Sequence, residues 1–205
     1  MKIRSMTLSV AALATVTALV AAAPAPASPP SKPSKPRTAA VHGAAQVHFA
    51  YAPKGDVIRF SVDAEAAPYT RPFTIKGTSL KGAPLDAKGK VTVYHYVTET
   101  GKAGISEAEV DCLVTGDGVA TLTAVVTKSN TGSKGTRIGI SVQDGRHGAP
   151  DRLGFSWGIA NADPGHDPIL ARVGTCMAPA PFTTVTEGGF KVASAPLPQW
   201  QDPWL

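Results

Sequence analysis

The sequence predicts an all-β fold, an antiparallel barrel or barrel-like sandwich of about eight to ten strands. Beyond residue 45 apolar and polar residues alternate with period two, which is the pattern of strands with one buried face. Short Gly- and Asn-containing turns separate these segments at roughly 10 to 15 residue spacing. No stretch of a dozen residues carries a helical apolar stripe. Because adjacent strands are joined by tight turns, a barrel is favoured over a sandwich.

The strands follow from local pattern in chain order. Phe60 alternates with polar neighbours in the second segment, and Val93 does so in the third. The turns Asn130-Thr131-Gly132-Ser133 and Gly145-Arg146-His147-Gly148 predict consecutive hairpins. The predicted strands are 46–51, 58–63, 91–96, 105–114, 118–127, 136–144, 151–159, 169–173 and 190–192.

The chain divides into four predicted segments. Residues 1–27 have the charged start, apolar centre and Ala25-Pro26-Ala27 end of a secretory signal peptide, with Ala21-Ala22-Ala23 as an alternative cleavage site. Residues 28–45 are a Pro- and Lys-rich disordered linker, 46–194 are one β domain, and 195–205 are a Trp- and Pro-rich C-terminal strap. The apolar centre is shorter than a membrane span, and no second apolar run follows. We therefore expect a secreted, extracellular protein without a membrane span.

The positive charge of the chain lies outside the predicted domain. The sequence has 20 basic and 15 acidic residues, and five of the basic ones precede residue 41 (Lys2, Arg4, Lys32, Lys35 and Arg37). The remaining part is formally neutral and has no run of three basic residues. A nucleic-acid partner is therefore not expected.

The two cysteines, Cys112 and Cys176, predict one disulfide, because an exported chain with an even cysteine count usually pairs them. A catalytic thiol would need a basic partner in a recognisable motif, and a zinc site would need more ligands at finger spacing. Neither pattern is present in the sequence.

The segment Gly154-Phe155-Ser156-Trp157-Gly158 matches the G-x-S-x-G string of serine hydrolases. In this sequence Phe155 and Trp157 alternate as inward strand residues, so Ser156 would face the other way, and no helix pattern follows. Asp163 and His166 lie in one Pro-Gly loop, where a catalytic relay is not expected. The sequence therefore predicts a strand here and no enzyme.

Two loops carry acidic residues around glycine, at 144–151 and 161–167. Neither has the regular spacing of a calcium loop, and turn chemistry explains both, so no metal is predicted, although calcium at either loop stays open. No motif indicates a cofactor.

Tryptophan marks the candidate binding surface. Trp157 lies in a predicted strand, whereas Trp200 and Trp204 lie among the prolines of the C-terminal strap. The two terminal tryptophans either cover a barrel mouth or sheet edge, or form a recognition patch for a glycan, an aromatic ligand or a protein.

Three segments together resemble a known group of proteins. They contain Asp111-Cys112, the hairpin from Asp144-Gly145 to Asp151-Arg152-Leu153 with Trp157, and Cys176 followed by Ala178-Pro179-Ala180-Pro181-Phe182. These segments are similar to secreted proteins, often labelled repetin, of high-GC Gram-positive bacteria. The resemblance implies export, the cysteine pair and a β domain, and it assigns no functional residue.

The sequence thus predicts a secreted, monomeric, disulfide-linked β domain with a non-catalytic binding or structural role at the cell envelope or outside the cell. The alternative is a carrier of a small apolar ligand inside a barrel. An enlarged cavity lined by residues such as Phe60, Tyr94, Phe155 and Trp157 would favour the carrier, and a filled core would favour a surface role. The partner is an unknown protein, glycan or small apolar ligand.

Overall fold

Eight antiparallel strands close into a barrel in the computed structural model of the chain. The structure describes residues 38–66, 73–75, 78–80, 86–158, 160–161, 169–170 and 172–195. In chain order the strands are β1 (Ala39–His48), β2 (Val57–Ala66), β3 (Phe73–Ile75), β4 (Thr78–Leu80), β5 (Lys88–Val97), β6 (Lys102–Gly116), β7 (Val119–Ser129), β8 (Arg137–Gln143), β9 (Arg152–Phe155), β10 (Ala160–Asn161), β11 (Ile169–Leu170) and β12 (Thr183–Ala193).

The barrel is an up-and-down meander. Its strands follow one another in the order β1-β2-β5-β6-β7-β8-β9-β12, and β12 pairs with β1 to close the ring. Strands β3 and β4 form one separate two-stranded sheet, and β10 and β11 form another. The predicted all-β class is therefore confirmed, and closure decides for the barrel over the sandwich.

Strand β1 begins at Ala39, within the segment 28–45 that composition assigned to the linker. Its inward residues include Ala39, Val41 and Ala45, which are buried, and Gly43 lies between them. Alanine and glycine give little hydrophobic contrast, so the sequence shows no clear alternation at this strand. The folded part consequently includes residues 39–45.

Strand β12 is much longer than the predicted segment 190–192, because a β-bulge hides its alternation. Gln46 pairs with Glu187 and Val47 pairs with Val185, so Thr186 is an extra residue on β12. Val185 and Phe190 are both buried although they are five residues apart, an odd number that an uninterrupted alternation does not allow. Sequence periodicity could therefore show only the last part of this strand.

The middle of the barrel is filled with side chains. Phe60, Phe155 and Phe190 are almost completely buried there, and aliphatic residues fill the space between them. The Phe155 ring centroid lies 5.5 Å from that of Phe60, 4.8 Å from that of Trp157 and 5.1 Å from that of Phe182. The barrel therefore has a packed core at its middle.

Residues 172–182 cross the outer face of β7, β8 and β9. This segment is called the strap below and is distinct from the predicted C-terminal strap at 195–205. The predicted disulfide between Cys112 and Cys176 is present and fastens the strap to β6. The backbone N–H of Cys176 also donates to Thr123 Oγ1, at 3.1 Å. The strap is thus tied to the barrel by a covalent bond and by a hydrogen bond to β7.

Glycine lets the strap backbone lie directly on the sheet. A Cβ on Gly139 would be 2.2 Å from the carbonyl oxygen of Met177, and one on Gly154 would be 2.2 Å from that of Ala180. Any larger residue at either position would push the strap away. Gly139 and Gly154 therefore mark positions where a second backbone lies close against the sheet.

Within the described residues, no helix has the length and apolar character that a bilayer crossing requires.

Candidate functional site

The candidate site is a cavity of about 590 Å³ at one end of the barrel. It opens at the end where the turns between β5 and β6 and between β7 and β8 lie, and it is bounded by β5, β6, β7, β8 and the residues after β9. Its lining residues are Val93, His95, Val97, Thr100, Lys102, Ala103, Gly104, Ser106, Val126, Asn130, Thr131, Ser133, Thr136, Ile138 and Trp157.

The inner wall of the cavity is apolar. Val93, Val126 and Ile138 point into the barrel and are at most 8% exposed. Trp157 closes the wall toward the core, because its ring packs 5.7 Å from the Phe60 ring between centroids. An apolar body in the cavity would therefore contact a wall that the fold holds in place.

The rim carries a cluster of four hydroxyl groups from β6, β7 and the turn after β7. Ser129 Oγ accepts hydrogen bonds from Ser106 Oγ at 3.0 Å and from Ser133 Oγ at 2.9 Å. Thr131 Oγ1 lies 2.9 Å from Ser129 Oγ, and the Thr131 N–H also donates to that oxygen. Ser106, Thr131 and Ser133 line the cavity. This hydroxyl cluster gives one side of the entrance a preorganised polar surface.

A histidine held by a carboxylate lies beside the hydroxyl cluster, since His95 of β5 pairs with Gly104 of β6, two residues before Ser106. His95 Nε2 lies 3.0 Å from Asp56 Oδ2, and the Thr98 N–H donates to Asp56 Oδ1 at 2.9 Å. Only 2% of the Asp56 side chain is exposed, against 35% of the His95 side chain. Asp56 is thus enclosed behind the imidazole, and His95 faces the cavity.

The pKa of Asp56 lies below its usual value. The main cause is the hydrogen bond from the Thr98 backbone N–H, and the bond to His95 adds to it, whereas burial opposes the shift. Asp56 is therefore a carboxylate at neutral pH and requires a donor on His95 Nε2. The neutral ring then has its unprotonated nitrogen at Nδ1, which can accept a hydrogen bond.

The structure separates the four aromatic residues whose joint lining of an enlarged cavity would have favoured a carrier. Trp157 does line the cavity, whereas Phe60 and Phe155 belong to the filled core. Tyr94 lies on the outer face of β5, where the Arg59 guanidinium carbon is 6.0 Å from its ring centroid. The predictions for Trp200 and Trp204 lie outside the described residues.

Ser156 of the hydrolase-like string has a structural contact. It lies in a 3-10 turn, Ser156–Gly158, that directly follows β9, so the predicted strand 151–159 ends early at Phe155. The Ser156 hydroxyl accepts the N–H of Gly139 at 3.1 Å, which pairs a β8 donor beyond the end of β9. Asp163 and His166 lie outside the described residues.

The carboxylates of the loop 144–151 bind backbone donors and a lysine of β12. Asp151 accepts the N–H groups of Gly145 at 2.7 Å and Phe190 at 2.6 Å. Asp144 binds Lys191 Nζ at 2.9 Å and accepts the Val192 N–H at 3.3 Å. Both residues fasten the hairpin to the barrel. Within the described residues, no group of three or more His, Cys, Asp or Glu could hold a metal ion, and the loop 161–167 lies largely outside them.

Sequence reasoning missed the hydroxyl cluster and the partner of His95. The serines and threonines of 129–133 have the pattern of turn residues, and Asp56 follows a Pro-Lys-Gly turn that carries no alternation. The inward alternation of Val91, Val93 and His95 was the one available signal, since it places His95 toward the barrel mouth.

Comparisons of the chain with protein-family models, with curated proteins and with solved structures gave no match.

Proposed function

We propose that this protein is an exported, monomeric binding protein without catalytic activity, which holds a small ligand in the cavity at the barrel end. The single observation that carries the proposal is the 590 Å³ cavity with an apolar inner wall and a polar rim. Sites for small molecules commonly combine these two features. The disulfide fits an oxidising compartment outside the cytoplasm, as do the signal-peptide pattern and the resemblance to secreted bacterial proteins.

The filled middle of the barrel leaves no space for a ligand deep inside it. A carrier that encloses its ligand deep in the barrel would need the space that Phe60, Phe155 and Phe190 occupy. The proposed ligand therefore enters only the barrel end and keeps one side near solvent. This arrangement combines the binding role predicted at the cell envelope or outside the cell with the small apolar ligand of the alternative carrier.

A non-catalytic role is supported by how the polar groups are engaged. The hydroxyl groups of Ser106, Ser129 and Ser133 bind one another, and in the described part of the chain none of them is hydrogen-bonded to His95. An activated serine needs a base within hydrogen-bond reach. The cluster is better suited to contacting a bound molecule.

The first test is native mass spectrometry of the mature protein from culture supernatant. We expect a monomer with extra mass that disappears on denaturation, and the mass difference gives the ligand class. The same spectrum tests the cleavage site and export, because the mature mass identifies the N-terminus.

A matched pair of variants locates the ligand. Val97→Phe places a larger side chain in the cavity, and Thr92→Phe places the same side chain on the outer face of the same strand. Val97→Phe should remove the bound mass while Thr92→Phe retains it. Equal occupancy in both variants would contradict binding at the barrel end.

A further inference from the structure

Lys102 is the one lysine or arginine among the described lining residues of the cavity, and no aspartate or glutamate is among them. Asp56 binds His95 of the lining, but it is enclosed behind that ring. In the described part of the chain Lys102 forms no salt bridge. Lys102 is exposed at the start of β6, so its ammonium group can reach a molecule at the cavity entrance.

The strand register brings Lys102 close to His95. Val97 of β5 pairs with Lys102 of β6, and His95 pairs with Gly104. Lys102 and His95 are thus diagonal neighbours on the inward face of one strand pair. Thr131 packs on Gly104, since a Cβ on Gly104 would be 2.8 Å from Thr131 Cγ2, so one head group can reach both Lys102 and the Thr131 hydroxyl.

Donors and acceptors in the rim distinguish an anionic from a cationic head group. The Thr131 hydroxyl lines the cavity, and its contacts with Ser129 and Ser133 do not fix which atom donates, so it can turn its proton toward an oxyanion. An ammonium group would instead face the Lys102 charge without a carboxylate to balance it. Like charges at this distance disfavour binding, and a charge-assisted bond to an oxyanion favours it.

We propose that the ligand is a small amphipathic monocarboxylate, whose apolar body packs on Val93, Val126, Ile138 and Trp157 and whose carboxylate binds Lys102 and the Thr131 hydroxyl at the cavity entrance. This inference rests on the proposed function, since it names the ligand class of the same cavity.

Isothermal titration of the mature protein with three probes of equal chain length tests the head group. The probes are octanoate, 1-octanol and octylammonium, used below their aggregation concentrations. We expect octanoate to bind about tenfold or more tightly than either of the others, which corresponds to the strength of a charge-assisted hydrogen bond.

Variants assign the preference to residues. Lys102→Ala should weaken octanoate about twofold to fivefold and leave 1-octanol unchanged. Lys134→Ala removes an exposed lysine of the nearby turn that does not line the cavity, and it should change neither probe.

The outcomes separate the two proposals. If 1-octanol and octanoate bind equally well in a manner that Val97→Phe blocks, the cavity is a binding site but the carboxylate inference is wrong. If octylammonium binds best, the inference is also wrong. If none of the probes binds, both proposals fail for molecules of this class. Octanoate preference that Lys102→Ala reduces, with Lys134→Ala silent, supports both.

Discussion

The substitution Gly154→Ala directly tests the contact between the strap and the barrel. Its Cβ would lie 2.2 Å from the Ala180 carbonyl oxygen and 2.6 Å from Ser141 Oγ, both well inside the normal separation of about 3.3 Å between carbon and oxygen. The strap must therefore move outward by about 1 Å, or β9 must move inward against the filled core. Overpacking of this kind costs about 1–3 kcal/mol.

Gly116→Ala is the matched control. Gly116 ends β6, does not have a positive φ, and has no atom within 4 Å of the position that an added Cβ would take. Alanine in a strand loses less backbone entropy on folding than glycine, so this variant should be neutral or stabilised by about 0.5–1 kcal/mol. Urea unfolding followed by tryptophan fluorescence should separate the free energies of unfolding of the two variants by about 1–4 kcal/mol at an unchanged m value.

The disulfide makes the same prediction sharper. The bridge spans a separation of 64 residues, which the chain-entropy relation converts to about 4 kcal/mol of stability. In the Cys112→Ser, Cys176→Ser background the strap can lift at lower cost, so the penalty of Gly154→Ala should shrink. If Gly154→Ala is as stable as Gly116→Ala in the bridged protein, the strap does not press on β9 and this reasoning is wrong. An equal penalty in both backgrounds would show that the bridge does not hold the strap down.

Three further predictions concern the core and two enclosed carboxylates. Phe155→Ala should lower the free energy of unfolding by about 3–5 kcal/mol in urea, because the ring is 1% exposed and packs against other aromatic rings; a loss below about 1 kcal/mol would contradict a filled core. Asp151→Asn should lower the free energy of unfolding by about 1–3 kcal/mol, since the single oxygen of asparagine cannot accept both the Gly145 and the Phe190 N–H. Added calcium should not change the melting temperature of either form. A calcium-dependent rise in the melting temperature of the unsubstituted protein would indicate a metal site in this loop. The pKa of Asp56 is lowered in the folded protein, so its carboxylate contributes stability above the ordinary pKa of 3.8, and this stability is lost as the pH falls through the lower folded pKa. Asp56→Asn should therefore make the free energy of unfolding fall less steeply with acid. An unchanged slope would refute the lowered pKa of Asp56.

The strands that could be predicted are those in which apolar and polar residues alternate without interruption. Strand β8 was expected at 136–144 and is observed at Arg137–Gln143, because Ile138, Ile140 and Val142 alternate without interruption between two clear turns. The disulfide was predictable because only two cysteines exist. Where alternation fails, prediction failed with it, as in the Ala-rich start of β1 and the bulge at Thr186 of β12.

The site was less predictable because its parts come from different strands. Asp56 and His95 are 39 residues apart, and their contact depends on the pairing of β2 with β5. The hydroxyl cluster likewise needs Ser106 opposite Ser129, which a register shift between β6 and β7 positions. Residue patterns along the chain predict which face a side chain occupies, but they do not give its neighbour across the barrel.

The position of the cavity follows from how large side chains are distributed around the barrel. The bulky inward rings come from β2, β9 and β12, as Phe60, Phe155 and Phe190, and they fill the middle. The wall formed by β5 to β8 carries smaller inward residues at the open end, such as Val97 and Ser106. A closed eight-stranded barrel has a fixed interior width. The small inward residues at the open end therefore leave space that the large rings in the middle do not fill. The cavity is therefore a direct result of this asymmetry, and enlarging a residue on the wall of small side chains should close it without disturbing the core.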